Sequence, residues 1–153
     1  MTSILFVCTG NTCRSPLAEA LARREAELRS MNVTVSSAGT SAVDGAPAST
    51  HSLRAAERRG ADLSGHQSRS LHPDSLVGVD LVLAMSPRHL LALRTEHGRE
   101  LNAALVTDYL PADHVRHGTA VSDPFGGSEE EYEEVARLLE QCVTQIFDRL
   151  AEC

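Results

Sequence analysis

Residues 4–16 read Ile4-Leu5-Phe6-Val7-Cys8-Thr9-Gly10-Asn11-Thr12-Cys13-Arg14-Ser15-Pro16. Ile4 to Val7 is a short apolar, partly β-branched run of the kind that fills a parallel strand covered on both faces. Cys8 to Arg14 form a short loop, with Gly10 supplying a tight backbone. Ser15 followed by Pro16 reads as an N-cap with proline at the first helical position. An apolar strand that runs through a tight loop into a helix is the opening unit of an α/β sheet.

The rest of the chain repeats that alternation. Leu17 to about Ser30 continues the first helix, with Leu17, Leu21 and Leu28 near one face. Val33-Thr34-Val35 is a second strand, ended by Ser37-Ala38-Gly39, and Ser49 to Arg59 is helical with Gly60 as its stop. Leu81 to Met85 is a third buried strand. Ser86-Pro87 starts a helix that runs to His97 and stops at Gly98, and Ala104 to Thr107 is a short fourth strand. Pro111 to Ser122 is loop. The last helix opens at Ser128 with Glu131 three residues on, a capping box, and carries an apolar stripe of Tyr132, Val135, Leu139, Val143, Ile146 and Leu150. Apolar strands alternating with helices predict a doubly wound, four-stranded parallel sheet with helices on both faces, in a single domain over residues 1–153. Ligands of such sheets bind beyond the carboxyl ends of the strands, which places a site in the Cys8 loop.

That loop has the chemistry of an anion site. Backbone N–H groups of a strand-to-helix loop point inward, and the helix N-terminus adds partial positive charge. Arg14 can hold two oxygens of a phosphate in its planar fork. The same field favours the thiolate form of Cys8, and Ser15 can donate a hydroxyl hydrogen bond to it. A sulfur nucleophile beneath a bound phosphate means phosphoryl transfer to sulfur. The leaving group then needs an acid, and Asp123, held before Pro124 in the turn Asp123-Pro124-Phe125-Gly126-Gly127, is the candidate. Cys13 shares the loop with Cys8. It is either a thiol able to trap oxidised Cys8 as a reversible disulfide or a residue of suitable size.

Composition narrows the classes. The net charge is −7, and all 14 basic residues are Arg. An acidic chain with no basic stripe is a poor nucleic-acid binder. The absence of Lys also removes a phosphate-binding loop of the GxxxxGK[ST] type. No apolar run approaches a membrane span, and MTSILFVCTG has neither the basic start nor the cleavage site of a secretory signal, so a cytoplasmic protein away from membranes is expected. Cys8, Cys13, Cys142 and Cys153 lack paired zinc spacing and read as free thiols, with no metal or cofactor implied.

The stretch VCTGNTCRSPLAEAL, the central Asp80-Leu81-Val82-Leu83-Ala84-Met85 and the late Asp123-Pro124-Phe125-Gly126-Gly127 resemble, in that order and over nearly the whole chain, the low-molecular-weight protein tyrosine phosphatase family. The resemblance implies Cys8 as nucleophile and Arg14 as phosphate clamp. It implies Asp123 as general acid and then base, and residues Thr9, Gly10, Asn11, Thr12, Cys13, Arg14 and Ser15 as the phosphate cradle. Asn11 matches the family's loop-ordering Asn. Ser37 and His66 resemble the residues that hold it, and each also reads as an ordinary turn Ser and a structural His.

Two positions depart from the tyrosine-specific pattern. Thr12 stands where those members usually carry an aliphatic residue, and Phe125-Gly126-Gly127 stand where they carry Tyr. CTGNTCRS and DPFGGS resemble the bacterial protein arginine phosphatase branch. A hydroxyl at Thr12 suits a nitrogen-bearing guanidino group, where an aliphatic wall suits an aromatic ring. Thr12, Asp123 and Phe125 are thus the expected selectivity residues, and the expected substrates are phosphorylated proteins, including those of a protein-arginine kinase. A phosphotyrosine phosphatase of the same fold is the alternative. Arsenate reductase is disfavoured because Asp80 to His97 contains no Cys, and a non-catalytic phosphate-binding module leaves Cys8, Arg14 and Asp123 together unexplained. For oligomeric state, Tyr132 and Glu129-Glu130-Glu131 are either a solvated helix face or a partner surface.

Overall fold

The computed structural model describes residues 1–152; the expected place of Cys153, at the end of the last helix, lies outside them. The elements are β1 (Thr2–Cys8), α1 (Arg14–Leu28), β2 (Val33–Gly39), α2 (Thr50–Glu57), β3 (Leu81–Ala84), α3 (Pro87–His97), β4 (Ala103–Leu105) and α4 (Glu129–Ala151). All strand pairs are parallel, in the order β2-β1-β3-β4. The chain winds outward from β1 to β2, then returns to the other side of β1 for β3. The carboxyl ends of β1 and β3 therefore flank the topological switch point, where a crevice must open.

Alternation along β1 divides the core. Ile4 and Phe6 join Leu83 and pack against Leu17 and Leu21 of α1 and Leu139 and Ile146 of α4. Leu5 and Val7 join Val82 and Ala84 on the opposite face, against Leu93 of α3. Burying side chains of this size stabilises the fold by roughly 1.5–3 kcal/mol each. One face of the sheet thus carries α1 and α4 and the other α3. Arg58 and Arg59 clamp α2 onto α4 through Glu129, Glu133 and Glu140.

Several boundaries differ from those expected. The first helix begins at Arg14, with Cys13 as its cap residue, so Ser15 is not an N-cap but lies within the first turn. Pro16 is then the third helical residue, still among the positions whose N–H has no intrahelical partner, so the missing hydrogen costs nothing. Leu28 is exposed rather than on the apolar face. The helix α1 is buried all round as far as Ala22, and its last turn keeps only Ala26 inside. The fourth strand stops at Leu105, because the Asp108 carboxylate accepts the Leu105 N–H at 3.0 Å and folds Val106–Tyr109 into a 3₁₀ turn. Met85 lies just past β3, yet its N–H still reaches the Val7 carbonyl at 3.0 Å. Ser128 caps α4 by accepting the Glu131 N–H at 3.3 Å, which is the Ser half of the expected capping box. Tyr132 is buried, so it forms no part of a surface.

The β1–β2 register sets Cys8 beside Gly39. The Cys8 loop folds back over that glycine: Thr40 N donates to Cys8 O and Ser41 N to Thr9 O, both at 2.9 Å. A methyl group on Gly39 would run into the Thr9 carbonyl and come within 3.0 Å of Asn11 N. We expect Gly39→Ala to destabilise the protein by about 1–3 kcal/mol in urea titration and to cut turnover further than this stability loss explains, because the clash falls on the loop backbone itself.

Candidate active site

Cys8 ends β1, buried at the carboxyl edge of the sheet, and its Sγ lies 2.8 Å from Ser15 Oγ. The direction of that contact follows from what Ser15 already accepts. Ser37 Oγ donates to Glu19 Oε1 at 2.6 Å. Asn11 Nδ2 spends its two hydrogens on Ser37 Oγ and Ser15 Oγ, each at 2.9 Å. Ser15 Oγ is thus an acceptor from Asn11, and its own hydrogen is free for the sulfur. A hydroxyl hydrogen held on sulfur stabilises the anionic form of a nucleophile.

Asn11 organises the loop through its backbone as well. It adopts φ 56°, the left-handed conformation that Asn tolerates better than other side-chain-bearing residues. Its Oδ1 accepts from Arg69 N at 2.8 Å, and its carbonyl meets His66 Nε2 at 2.7 Å. Ser37 and His66 therefore both reach Asn11, as the sequence suggested. Gly10 does not carry the tight turn expected of it: a methyl there would touch only Thr12 Oγ1, at 3.8 Å. Asn11 takes the left-handed residue, and Gly39 makes the close approach.

Arg14 is buried, and its Nη1 donates to the Val121 carbonyl at 3.0 Å. Val121 N in turn donates to Met85 O at 2.7 Å, so the guanidinium is aimed by a segment tied to the end of β3. Arg14 Nη2 lies 3.7 Å from Asp123 Oδ2, and Asp123 is half exposed. A pair that open to water contributes about 1 kcal/mol or less. The carbonyl and the burial, not Asp123, therefore hold Arg14, and its other donors remain available to a phosphate.

Asp123 accepts the Phe125 N–H on Oδ1 at 3.1 Å, and Gly127 N closes the next turn onto Pro124 O at 2.7 Å, with Gly126 at φ 76°. This turn sets Asp123 and the exposed Phe125 over the loop. Cys8, Thr9, Gly10, Asn11, Thr12, Cys13, Arg14, Asp123 and Phe125 together line a pocket of about 240 Å³. A buried sulfur, a buried guanidinium and a half-exposed carboxyl bordering one pocket suit transfer of a phosphoryl group to sulfur.

Cys13 has its own surroundings. Its Sγ lies 3.3 Å from Tyr132 Oη and 3.5 Å from Ser49 Oγ. Burial pushes the Tyr132 hydroxyl up to about 12, so it remains a hydrogen-bond donor. Cys142 is wholly buried in the core, with its thiol pushed up to about 12 by that burial, and is inert packing.

Two residues carry roles that the sequence did not indicate. Glu19, on α1, is buried and ends the hydrogen-bond chain. His89 is buried in the first turn of α3, with Nε2 2.7 Å from Thr9 Oγ1 and Nδ1 2.8 Å from Ser86 Oγ. Ser86 is the α3 cap. The signal for His89 was a Ser-Pro-x-His helix start directly after the strand beside β1.

Among the described residues no cluster of His, Cys, Asp and Glu is placed to hold a metal ion, and no helix is long and apolar enough to cross a membrane.

Comparison with known proteins sets this geometry in a family. Residues 3–153 match the family described as low molecular weight phosphotyrosine protein phosphatase. A protein-arginine-phosphatase of Bacillus subtilis is 37% identical over 148 residues, covering 96% of this chain and 95% of its own length. The low molecular weight protein-tyrosine-phosphatase PtpB of Staphylococcus epidermidis is 34% identical over 146 residues, 95% of this chain and 91% of its own. A solved structure of the arginine phosphatase YwlE, a mutant with a phosphorylated active-site serine, superposes with a TM-score of 0.90 at 36% identity, over 98% of this chain and 96% of that one. With a shared parallel sheet and a shared loop after its first strand, this chain belongs to the low molecular weight phosphotyrosine protein phosphatase family.

Proposed function

We propose that this chain is a cysteine-dependent protein phosphatase that hydrolyses phosphoarginine in proteins. The observation that carries the reading is the pocket lining: Thr12 and Thr9 border the same pocket as Cys8 and Asp123. A guanidino group brings N–H donors that need acceptors, and a threonine oxygen offers lone pairs where an aliphatic side chain offers none. The 37% identity to a protein-arginine-phosphatase supports the same reading.

In the proposed reaction the phosphate lies on the loop N–H groups and the Arg14 fork. Cys8 Sγ attacks phosphorus. The S–P bond forms as the P–N bond breaks, and its electron pair leaves with the nitrogen, which takes a proton from the Asp123 carboxyl. The Asp123 carboxylate then takes a proton from a water whose oxygen attacks phosphorus. Sγ departs as thiolate, protected by the Ser15 hydroxyl 2.8 Å away. Arginine and inorganic phosphate are the products. The half-exposed position of Asp123 lets it meet both the leaving nitrogen and water. A phosphorylated serine at the active site of the YwlE mutant supports a covalent phosphoenzyme.

The substrates are phosphoproteins made by a protein-arginine kinase, met in the cytoplasm. When a peroxide oxidises the Cys8 thiolate to a sulfenic acid, the Cys13 thiol, once turned from Tyr132 and Ser49, attacks that sulfur, the S–O bond breaks, water leaves and a disulfide forms. The phosphotyrosine reading keeps one observation in its favour: Phe125 stands 76% exposed at the pocket mouth, where an aromatic ring can stack.

Cys8→Ser is expected to abolish turnover while inorganic phosphate still binds, and Asp123→Asn to slow phosphoenzyme formation by about 10²–10⁴-fold; stopped-flow and calorimetry measure both. Matched phosphoarginine and phosphotyrosine peptides decide the substrate. Wild type is expected to favour phosphoarginine in kcat/KM, and Thr12→Ile is expected to move the ratio toward phosphotyrosine by about ten-fold or more. A wild type that favours phosphotyrosine overturns the phosphoarginine reading and leaves the loop chemistry standing.

A further inference from the structure

Thr9 follows the reactive Cys8, yet its side chain is tied to a helix beyond the third strand. It is an exposed residue, and its Oγ1 bonds His89 Nε2 at 2.7 Å. His89 is 4% exposed, and both its ring nitrogens are engaged, the second with Ser86 Oγ at 2.8 Å. A buried imidazole spent on orienting one exposed threonine is a costly arrangement if Thr9 only covers the loop. Thr9 belongs to two adjoining cavities. One is the pocket over Cys8; the other, of about 340 Å³, is lined by Thr9, Arg14, Ser86, Arg88, His89 and Asp123. Thr9, Arg14 and Asp123 border both, so Thr9 stands where a substrate side chain leaves the phosphate cradle toward the acid.

We propose that His89 is a positioning residue that turns Thr9 into a hydrogen-bond acceptor for a guanidino N–H of the substrate, making the Thr9–His89 pair a selectivity element beside Thr12. The inference rests on the phosphoarginine reading and extends it to one more contact.

The contacts fit either neutral tautomer of His89, and the proposal takes the one that carries its hydrogen on Nδ1. Ser86 Oγ, the cap of α3, accepts the His89 backbone N–H at 3.4 Å and has a second lone pair for Nδ1–H. Nε2 is then a bare acceptor and takes the Thr9 hydroxyl hydrogen. The lone pairs of Thr9 Oγ1 remain, and they face cavities that Arg14 and Asp123 also border. The charged groups around His89 favour this neutral form. Burial lowers its pKa to about 4, Arg14 and Arg88 add to the lowering, and only Asp123 opposes it. A protonated ring would donate at both nitrogens and free the Thr9 hydrogen to point at the substrate, turning an acceptor into a donor. Arg14 is occupied with Val121 and is aimed at phosphate, and a guanidinium has no acceptor to offer. On this side of the pocket Thr9 Oγ1 and the Asp123 carboxyl are therefore the side-chain acceptors facing a guanidino group.

The test compares kcat/KM on matched phosphoarginine and phosphotyrosine peptides for wild type, Thr9→Val, His89→Leu, His89→Gln and the Thr9→Val/His89→Leu double variant. Thr9→Val keeps the side-chain shape and removes the hydroxyl. It is expected to lower phosphoarginine turnover about ten-fold more than phosphotyrosine turnover. His89→Leu is expected to shift the ratio by a similar factor, and the double variant by no more than either single, because both remove the same contact. His89→Gln, whose amide can still reach Thr9, is expected to restore most of the preference. Equal losses on both peptides, or an additive double variant, reduce His89 to structural support and overturn the inference. Should His89→Leu fail to fold, Thr9→Val alone decides: an unchanged ratio in a wild type that favours phosphoarginine overturns this inference and leaves the proposed function intact. A wild type that favours phosphotyrosine overturns both.

Discussion

A carboxylate that cannot donate sets the direction of every hydrogen bond leading to the reactive sulfur. Glu19 accepts from Ser37, so Ser37 accepts from Asn11. Asn11 gives its second hydrogen to Ser15, and Ser15 is left with one hydrogen and one partner, Cys8. Reversing any link would leave a buried donor facing a donor, at a cost of roughly 1–3 kcal/mol for the unsatisfied group. The same Asn11 holds the left-handed turn of the loop and ties it to Arg69 and His66. Loop shape and thiol environment are therefore one constraint, anchored on α1 and β2.

The charged parts of the site are positioned by different means. Arg14 is held by a carbonyl and by burial, and the weak ion pair with Asp123 leaves both groups free for a substrate. Asp123 is fixed through its own turn, by the Phe125 N–H. The guanidinium is enclosed by protein, while the carboxyl stands half exposed at the pocket. Nothing in this division needs a large electrostatic term in the empty site. The N–H groups and the guanidinium act when charge arrives.

Much of this was legible in the residues. The apolar run Ile4 to Val7, the C-x5-R-S spacing and the Asp-Pro turn each state local chemistry, and local chemistry survives folding. The strands alternate with helices strictly enough that the parallel sheet and the position of its site follow from order alone. What stayed hidden depends on burial or on distant partners. Ser15 has cap-like neighbours, but the loop pulls the helix start back to Arg14, so its hydroxyl meets Cys8 as the loop chemistry suggested and caps nothing. Gly10 looked like the necessary glycine, while the contact that forbids a side chain is at Gly39, on another strand. Glu19 carries a polar group on a helix and is buried by packing that no local pattern reports. Val106 and Thr107 have strand-like residues but are curled by one carboxylate, Asp108.

The switch point between β1 and β3 also has a kinetic meaning. Thr9 meets His89 across 80 residues, and Arg14 meets Val121 across 107. Parallel pairing at such separations requires closing long loops and forms late in folding. A partly unfolded chain has Cys8, Arg14 and Ser15 on one segment but lacks the Val121 carbonyl that holds Arg14, the His89 contact to Thr9 and the Asp123 turn. The arrangement around Cys8 is thus complete only in the native state, because its distant parts arrive last.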